Sequence, residues 1–144
     1  MSPVVSEVVS EARLWLGTPY RHQGAVRGAG CDCLGLIRGI WRARCGEEPE
    51  PVPPYSRDWA EQGGEERLWR AALRYMAPGQ GGTGDVLLFR MRKGAVAKHL
   101  GLQSSPEAFI HAMSGQGVVE SALTPLWCAR IVARFSFPSN GLGS

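Results

Sequence analysis

Residues 30–36 read Gly30-Cys31-Asp32-Cys33-Leu34-Gly35-Leu36, and they mark the point where a glycine-rich loop turns into a helix. Apolar side chains at helical spacing predict a helix over Cys33–Cys45, with Asp32 as its N-terminal cap. The helix dipole and free N–H groups of the first turn favour a thiolate, so we expect a lowered pKa for Cys33. The same N–H groups can stabilise a developing oxyanion. An alternative, that Cys33 is a small buried hydrophobic residue, stays open at this point.

On either side of this predicted helix, the apolar pattern indicates that helices come first along the chain and strands come later. Further helices are predicted over Val4–Leu16 and Glu65–Met76, with a loop over Gly17–Gly30. Short apolar or alternating segments predict strands at Asp85–Phe89, Val96–Leu102, Ala108–Ala112, Gly117–Ser121 and Cys128–Phe137. This order indicates an α+β fold in which N-terminal helices pack on a C-terminal antiparallel sheet of about five strands. We expect one domain spanning residues 1–144.

Composition narrows the possible functions. The apolar content of 44% and charged content of 20% are ordinary for a globular protein. The net charge is only +3 and the basic residues are dispersed, which argues against direct nucleic-acid binding. No apolar run approaches the roughly 18 residues of a membrane span. The N-terminal segment contains Glu7 and Glu11 and is not typical of a secretion signal, so we expect synthesis in the cytoplasm.

A cysteine nucleophile needs a base, and the chain offers three histidines. His22 lies in the glycine-rich loop, whereas His99 and His111 lie in successive predicted strands. Histidines on neighbouring antiparallel strands can face the same way, so that one acts as base and the other orients it. A histidine on a strand can equally be a structural residue with satisfied hydrogen bonds. The pair, following a cysteine at a helix start, favours catalysis.

Zinc binding is the main rival chemistry. Cysteine and histidine side chains could in principle ligate the metal at Cys31, Cys33, His99 and His111. The Cys-x-Cys spacing and the long separation of the other ligands do not match a standard zinc pattern. We therefore expect no metal and no other cofactor, and we expect the four cysteines, which include Cys45 and Cys128, to be mostly reduced thiols.

Several motifs occur in an order that resembles the NlpC-type cell-wall cysteine peptidases. The similar segments are Gly17-Thr18-Pro19-Tyr20, Asp32-Cys33-Leu34-Gly35-Leu36, Gly84-Asp85-Val86-Leu87-Leu88-Phe89, Lys98-His99-Leu100-Gly101-Leu102 and Ile110-His111-Ala112. The resemblance as a whole extends over roughly Val4 to Phe137, and the combination of motifs is specific although each alone is weak.

The resemblance implies a papain-like fold and a division of roles. Cys33 is expected to be the nucleophile, His99 the general base and His111 the residue that orients His99. Tyr20 is expected beside the nucleophile, at the oxyanion or substrate-binding site, and Asp32 is expected to help bind a free substrate amine. The implied substrate is a peptidoglycan stem peptide, cut between D-glutamate and a diamino acid.

The sequence also departs from the family pattern. Leu34 stands where many members have Ser or Gly, Cys31 is an additional thiol, and Gln23 replaces part of an aromatic-glycine pair. The proline-rich stretch Glu47–Trp59 is similar to the subgroup found in tail modules of phages and gene-transfer particles. That similarity implies tail-tip or baseplate proteins as partners and a location at the tail tip, where the enzyme would open the wall for nucleic-acid delivery.

Three classes of function remain open. The first is a peptidoglycan endopeptidase acting from a tail tip, which the resemblance favours. The second is a cysteine amidase or acyltransferase with the same nucleophile, because one fold can support several acyl-transfer reactions. The third is a structural tail protein with little activity. The presence of Cys33, His99 and His111 argues against the third.

Overall fold

The computed structural model describes residues 3–50 and 66–138. Within these ranges the helices are α1 (Pro3–Leu14), α2 (Cys33–Cys45), α3 (Arg67–Tyr75) and α4 (Pro125–Arg130). The strands are β1 (Ala25–Val26), β2 (Gly30–Cys31), β3 (Ala77–Pro78), β4 (Val86–Phe89), β5 (His99–Ser105), β6 (Ala108–Met113), β7 (Gly117–Ala122) and β8 (Ile131–Ser136). The predicted start and end of α2 are confirmed, and α1 and α3 differ from prediction by one or two residues at each end.

The strands of the second half form one antiparallel sheet. Among the described residues its order is β3-β8-β4-β5-β6-β7, and each neighbouring pair is antiparallel. The predicted α+β architecture is therefore confirmed, with one strand more than the expected five. The additional strand, β3, is two residues long and lies at the edge, where Pro78 is tolerated because proline has no N–H to donate to a neighbour.

The sheet has two buried faces of different composition, because successive side chains of a strand point to opposite sides. We call one the helical face; its strand residues include Val86, Leu88, Leu100, Leu102, Ile110 and Ala112. We call the other the aromatic face; its buried hydrophobic residues are Leu87, Phe89 and Phe109, with Trp127 packed against them. All four residues of β4 are buried, so this strand lies between the two layers.

Helices α1 and α2 cover the helical face. Val8 and Ala12 of α1 and Leu36 and Ile40 of α2 are almost completely buried in the same cluster as the strand residues. Burying each large aliphatic side chain contributes about 1.5–3 kcal/mol, so this layer supplies most of the stability and fixes α2 on the sheet.

The structure differs from the sequence prediction between residues 124 and 130, where it has a helix. A strand was predicted over Cys128–Phe137, but Cys128 lies in α4 and the strand begins at Ile131. The Thr124 side chain caps the helix by accepting from the Trp127 N–H, and Pro125 occupies a first-turn position. Proline suits that position because its φ is already helical and its missing N–H would have no partner there.

The loop before α2 also differs from the prediction, and part of the proline-rich stretch lies outside the described residues. The predicted loop over Gly17–Gly30 contains a small antiparallel hairpin formed by β1 and β2. Of the proline-rich stretch Glu47–Trp59, residues 51–59 lie outside the described residues, as does Glu65 of the predicted third helix. Within residues 3–50 and 66–138, no helix combines the length and apolarity that crossing a membrane requires.

Candidate active site

Cys33 is the first residue of α2, as predicted. Asp32 precedes it in an extended conformation and caps the helix: its Oδ1 accepts from the Gly35 N–H at 2.8 Å. The second carboxylate oxygen, Oδ2, accepts from the Gln23 N–H at 2.8 Å. One buried carboxylate thus ties the helix start to the preceding loop, which fixes the position of the Cys33 side chain.

Backbone packing places the start of α2 as closely as the cap does. A Cβ on Gly35 would lie 1.7 Å from the carbonyl oxygen of Gly24, so the helix and the loop touch backbone to backbone. Any side chain at position 35 would force the two segments apart. The motif that follows Cys33 therefore requires glycine for steric reasons.

The Cys33 thiol lies against the backbone at the start of β5. Its sulfur is 3.5 Å from the carbonyl oxygen of Lys98, to which the S–H donates. The backbone N–H groups of Leu100, Leu34 and Cys33 itself also interact with the sulfur and act to lower its pKa. Lys98 and Leu100 flank His99 in sequence, so the sulfur is held beside the backbone of the predicted base.

The expected lowering of the Cys33 pKa is wrong for the resting protein. Burial of the sulfur, followed by the negative charge of Asp32, raises the pKa from 9.0 to about 12. These effects outweigh the backbone N–H groups at the helix start. The thiol is therefore protonated at neutral pH and becomes a nucleophile only when a base removes its proton.

The two histidines form a buried pair on the aromatic face. His99 Nε2 and His111 Nδ1 lie 2.9 Å apart, and the rings meet edge to face. Burial, with smaller contributions from the charges of His111 and Lys98, lowers the pKa of His99 to about 3. Burial alone lowers the pKa of His111 to about 4. Both imidazoles are therefore neutral at pH 7, the form in which His99 can accept a proton.

Gly101 makes room for this pair. It lies two residues after His99 on β5, and a Cβ there would be 3.0 Å from the Phe109 ring and 3.4 Å from the His111 Cβ. A side chain at position 101 would press on the Phe109 ring, which itself lies against the His111 ring at a centroid distance of 4.2 Å. Glycine in this motif thus has a packing role on the aromatic face.

The other residues singled out from the sequence contact the segment that leads into Cys33. Tyr20 is half-buried, and its backbone forms an isolated bridge with Cys31. Cys31 is fully buried, and burial together with the charges of Asp32 and Cys33 raises its pKa to about 12. His22 Nδ1 is 4.0 Å from Asp32 Oδ2. The proposed substrate contacts of Tyr20 and Asp32 stay predictions.

Sequence reasoning missed three residues that contact the site. Ser121 Oγ is 2.8 Å from His111 Nε2. The Trp127 ring packs against both histidines, at centroid distances of 5.9 Å to His99 and 5.2 Å to His111.

Glu66 supports the segment that leads into His99. Its carboxylate accepts from the Ala97 N–H at 2.7 Å, two residues before His99, and pairs with Arg90 at 2.8 Å. Only the Thr124-Pro125 capping signal before Trp127 was visible in the sequence.

The described side chains do not assemble a metal site. Across residues 3–50 and 66–138, no three or more His, Cys, Asp or Glu side chains are grouped so that they could hold an ion. The arrangement instead joins three groups: a thiol at a helix start, the neutral imidazole of the residue between the two whose backbone the sulfur contacts, and a second imidazole bonded to the first. Such an arrangement can carry out nucleophilic acyl transfer.

Solved structures share this fold. The NlpC/p60 domain of the peptidoglycan hydrolase SagA superposes with a TM-score of 0.60 at 22% identity, covering 92% of this chain and 98% of that one. An NlpC/P60 family protein from Bacillus cereus gives a TM-score of 0.60 at 18% identity, covering 93% of this chain and 40% of that one. These similarities confirm the predicted fold.

Sequence comparison gives the family. The chain is 30% identical over 128 residues to the murein DD-endopeptidase MepS/murein LD-carboxypeptidase of Escherichia coli K12. The match covers 88% of this chain but only 60% of that protein. The sequence model of the NlpC/P60 family matches residues 17–135, which include Cys33, His99, His111 and the whole of the sheet apart from its last residue. The chain therefore belongs to the NlpC/P60 family.

Proposed function

We propose that this chain is a cysteine endopeptidase that hydrolyses stem peptides or peptide crosslinks of peptidoglycan. The observation that carries the proposal is the position of the Cys33 sulfur, held at the helix start against the backbone on both sides of His99. Family membership and the similarity to a murein endopeptidase support the choice of substrate.

The geometry suggests how the reaction proceeds. His111 engages Nε2 of His99, which leaves Nδ1 of His99 for the proton of the Cys33 thiol. As the sulfur attacks the peptide carbonyl, His99 takes that proton and the oxygen becomes negative. The N–H groups of Cys33 and Leu34 at the helix start contact the sulfur in the resting protein, and they are suited to stabilise this oxygen as it forms, with Tyr20 as a further candidate.

The second half of the reaction regenerates the enzyme. Protonated His99 gives its proton to the leaving amine, and the C–N bond breaks to leave a thioester on Cys33. Water then attacks the thioester, with His99 again accepting a proton, and the carboxylic acid and the free thiol are released. The net change is hydrolysis of one peptide bond, with no other reactant consumed.

Product analysis on purified peptidoglycan tests the proposal. We expect one new amine and one new carboxyl group per cut, detected by mass spectrometry of the released peptides. Cys33→Ala protein should release nothing. Products that carry an acceptor amine in place of the new carboxyl group would show that the protein is an acyltransferase. Peptidoglycan that stays intact would favour a structural role with little activity.

We also propose that the protein works at the tip of a phage-like tail and opens the wall for nucleic-acid delivery. The support is the similarity of the stretch Glu47–Trp59 to the tail-module subgroup of the family. Its partners there would be other tail-tip or baseplate proteins. Purified particles should contain the chain near the tail tip, and Cys33→Ala particles should assemble and adsorb but deliver nucleic acid poorly. Finding the protein in lysates but never in purified particles would contradict this location.

A further inference from the structure

The hydrogen-bond chain of the site continues beyond the two histidines. His111 Nε2 lies 2.8 Å from the hydroxyl oxygen of Ser121. Ser121 belongs to β7 and pairs with Phe109 of β6, which brings its side chain to the aromatic face beside His111. The chain therefore runs from His99 through His111 to Ser121, and it ends at a half-buried residue.

The direction of these hydrogen bonds is set by the proton transfer. A neutral imidazole has one N–H donor and one acceptor nitrogen, but a protonated imidazole has two donors. When His99 carries the proton of Cys33, its Nε2–H must donate to His111 Nδ1. His111 must then carry its own hydrogen on Nε2, and that N–H needs an acceptor.

Ser121 is the acceptor that the structure supplies. The His111 side chain is only 1% exposed. Its ring is otherwise packed against the rings of Phe109, Trp127 and His99, at centroid distances of 4.2, 5.2 and 5.1 Å. An N–H without a partner in such surroundings is destabilising, so without the Ser121 hydroxyl the required tautomer of His111 loses its advantage.

We propose that Ser121 is a positioning residue, which accepts a hydrogen bond from His111 and thereby selects the tautomers that leave Nδ1 of His99 free to take the Cys33 proton. The inference rests on the proposed peptidase function. Reversal of the chain, with Ser121 donating to His111 and His111 donating to His99, would place a hydrogen on His99 Nδ1. That form of His99 cannot act as a base toward the thiol.

Nitrogen NMR of the imidazoles in the resting wild-type protein is the direct test, because nitrogen shifts distinguish protonated from unprotonated ring positions. We expect His99 to be unprotonated at Nδ1, and His111 to be protonated at Nε2 and unprotonated at Nδ1. Protonated Nδ1 on both rings would overturn the proposal. This readout needs no activity and no variant.

Three substitutions at position 121 test the role in turnover. Ser121→Ala should lower kcat about tenfold with little change in KM, and it should mix the tautomers of His111. Ser121→Thr keeps the hydroxyl and should restore both properties. Ser121→Asp offers an acceptor without a donor and should keep activity; an inactive but folded Ser121→Asp protein would mean that Ser121 acts as donor and would overturn the inference.

Ser104→Ala is the matched control. It removes a sheet hydroxyl that donates to Glu120 at 2.6 Å and has no bond to either histidine. It should leave kcat and the imidazole shifts unchanged. If the protein has the expected tautomers but cuts no peptidoglycan, the proposed function is rejected and the role of Ser121 in selecting the tautomers is kept. If the protein cuts peptidoglycan but has the reversed tautomers, the proposed function is kept and the role of Ser121 is rejected.

Discussion

The helical and aromatic faces of the sheet make different contributions to one site. The helical face is filled by aliphatic side chains and carries α2, whose first residue is Cys33. The aromatic face is a small cluster around Phe89, Phe109 and Trp127, and it surrounds the two histidines. The Cys33 sulfur, from the helical side, lies against the Lys98 carbonyl at the start of β5, next in sequence to His99, whose ring lies on the aromatic side.

The difference shows that placement and ionisation are controlled separately. On the helical side, the cap Asp32 and the contact between Gly35 and Gly24 fix where the sulfur lies. On the aromatic side, burial keeps His99 and His111 uncharged. A change on one side should therefore affect position, whereas a change on the other should affect proton affinity.

The largest effect is expected from the helical side. Cys33→Ala should reduce peptidoglycan hydrolysis by at least about 10⁴-fold, because no other group can form the thioester. Cys31→Ala is the matched control and should keep most of the activity, since Cys31 is fully buried in β2. Release of soluble peptides measures both. An inactive Cys31 variant together with an active Cys33 variant would show that Cys31, and not Cys33, is the nucleophile.

Loss of the base on the aromatic side should come next. His99→Ala should lower kcat by about 10²–10⁴-fold, the range expected for a general acid-base group. His111→Ala should cost less, and His111→Asn should recover part of that loss because its side-chain oxygen can still accept from His99. Steady-state kinetics on a defined stem peptide compares the three. Unchanged kcat in the His99 variant would remove the mechanism.

A smaller effect is expected from the ring that covers the histidines. Trp127→Ala should lower stability by about 2 kcal/mol, measured by urea unfolding. It should also admit water and raise the pKa of His99 toward its ordinary value, which moves the acid limb of kcat/KM to higher pH. Leu126→Ala, at an exposed neighbouring position, should change neither. An acid limb that does not move would mean that Trp127 does not control the ionisation.

The last prediction concerns the dependence of stability on pH, which needs no loss of activity to be seen. The folded pKa values of His99 and His111 lie below 6.5, so the unfolded chain binds protons that the folded protein does not. The two histidines should therefore leave the free energy of unfolding unchanged above pH 6.5. As the pH decreases from 6.5 toward 4, the free energy of unfolding should fall by up to about 1.4 kcal/mol per pH unit for each histidine. His99→Gln should flatten this decline in urea unfolding at pH 7, 6 and 5, whereas Cys33→Ala should not.

Local patterns account for what the sequence could predict. The start of α2, its cap Asp32 and the strands that carry His99 and His111 follow from glycine placement, capping and apolar spacing over short stretches. Helix α4 was missed because its six residues run directly into β8, and only Thr124 and Pro125 mark its start.

Tertiary packing accounts for the rest. Ser121 meets His111 because of the register between β6 and β7, and the sequence of neither strand specifies that register alone. The high pKa of Cys33 was also missed, because it depends on how deeply the helix start is buried rather than on the dipole of the helix.

The protonated state of Cys33 has a consequence for durability. Peroxides attack thiolates much faster than thiols, so a sulfur with a pKa of about 12 is protected from oxidation while the enzyme is idle. Cys128, which is exposed, offers an internal comparison. Under mild peroxide, mass spectrometry should find oxidised Cys128 before oxidised Cys33. For the proposed peptidase, the nucleophile would then survive until substrate arrives, and faster oxidation of Cys33 would contradict this view.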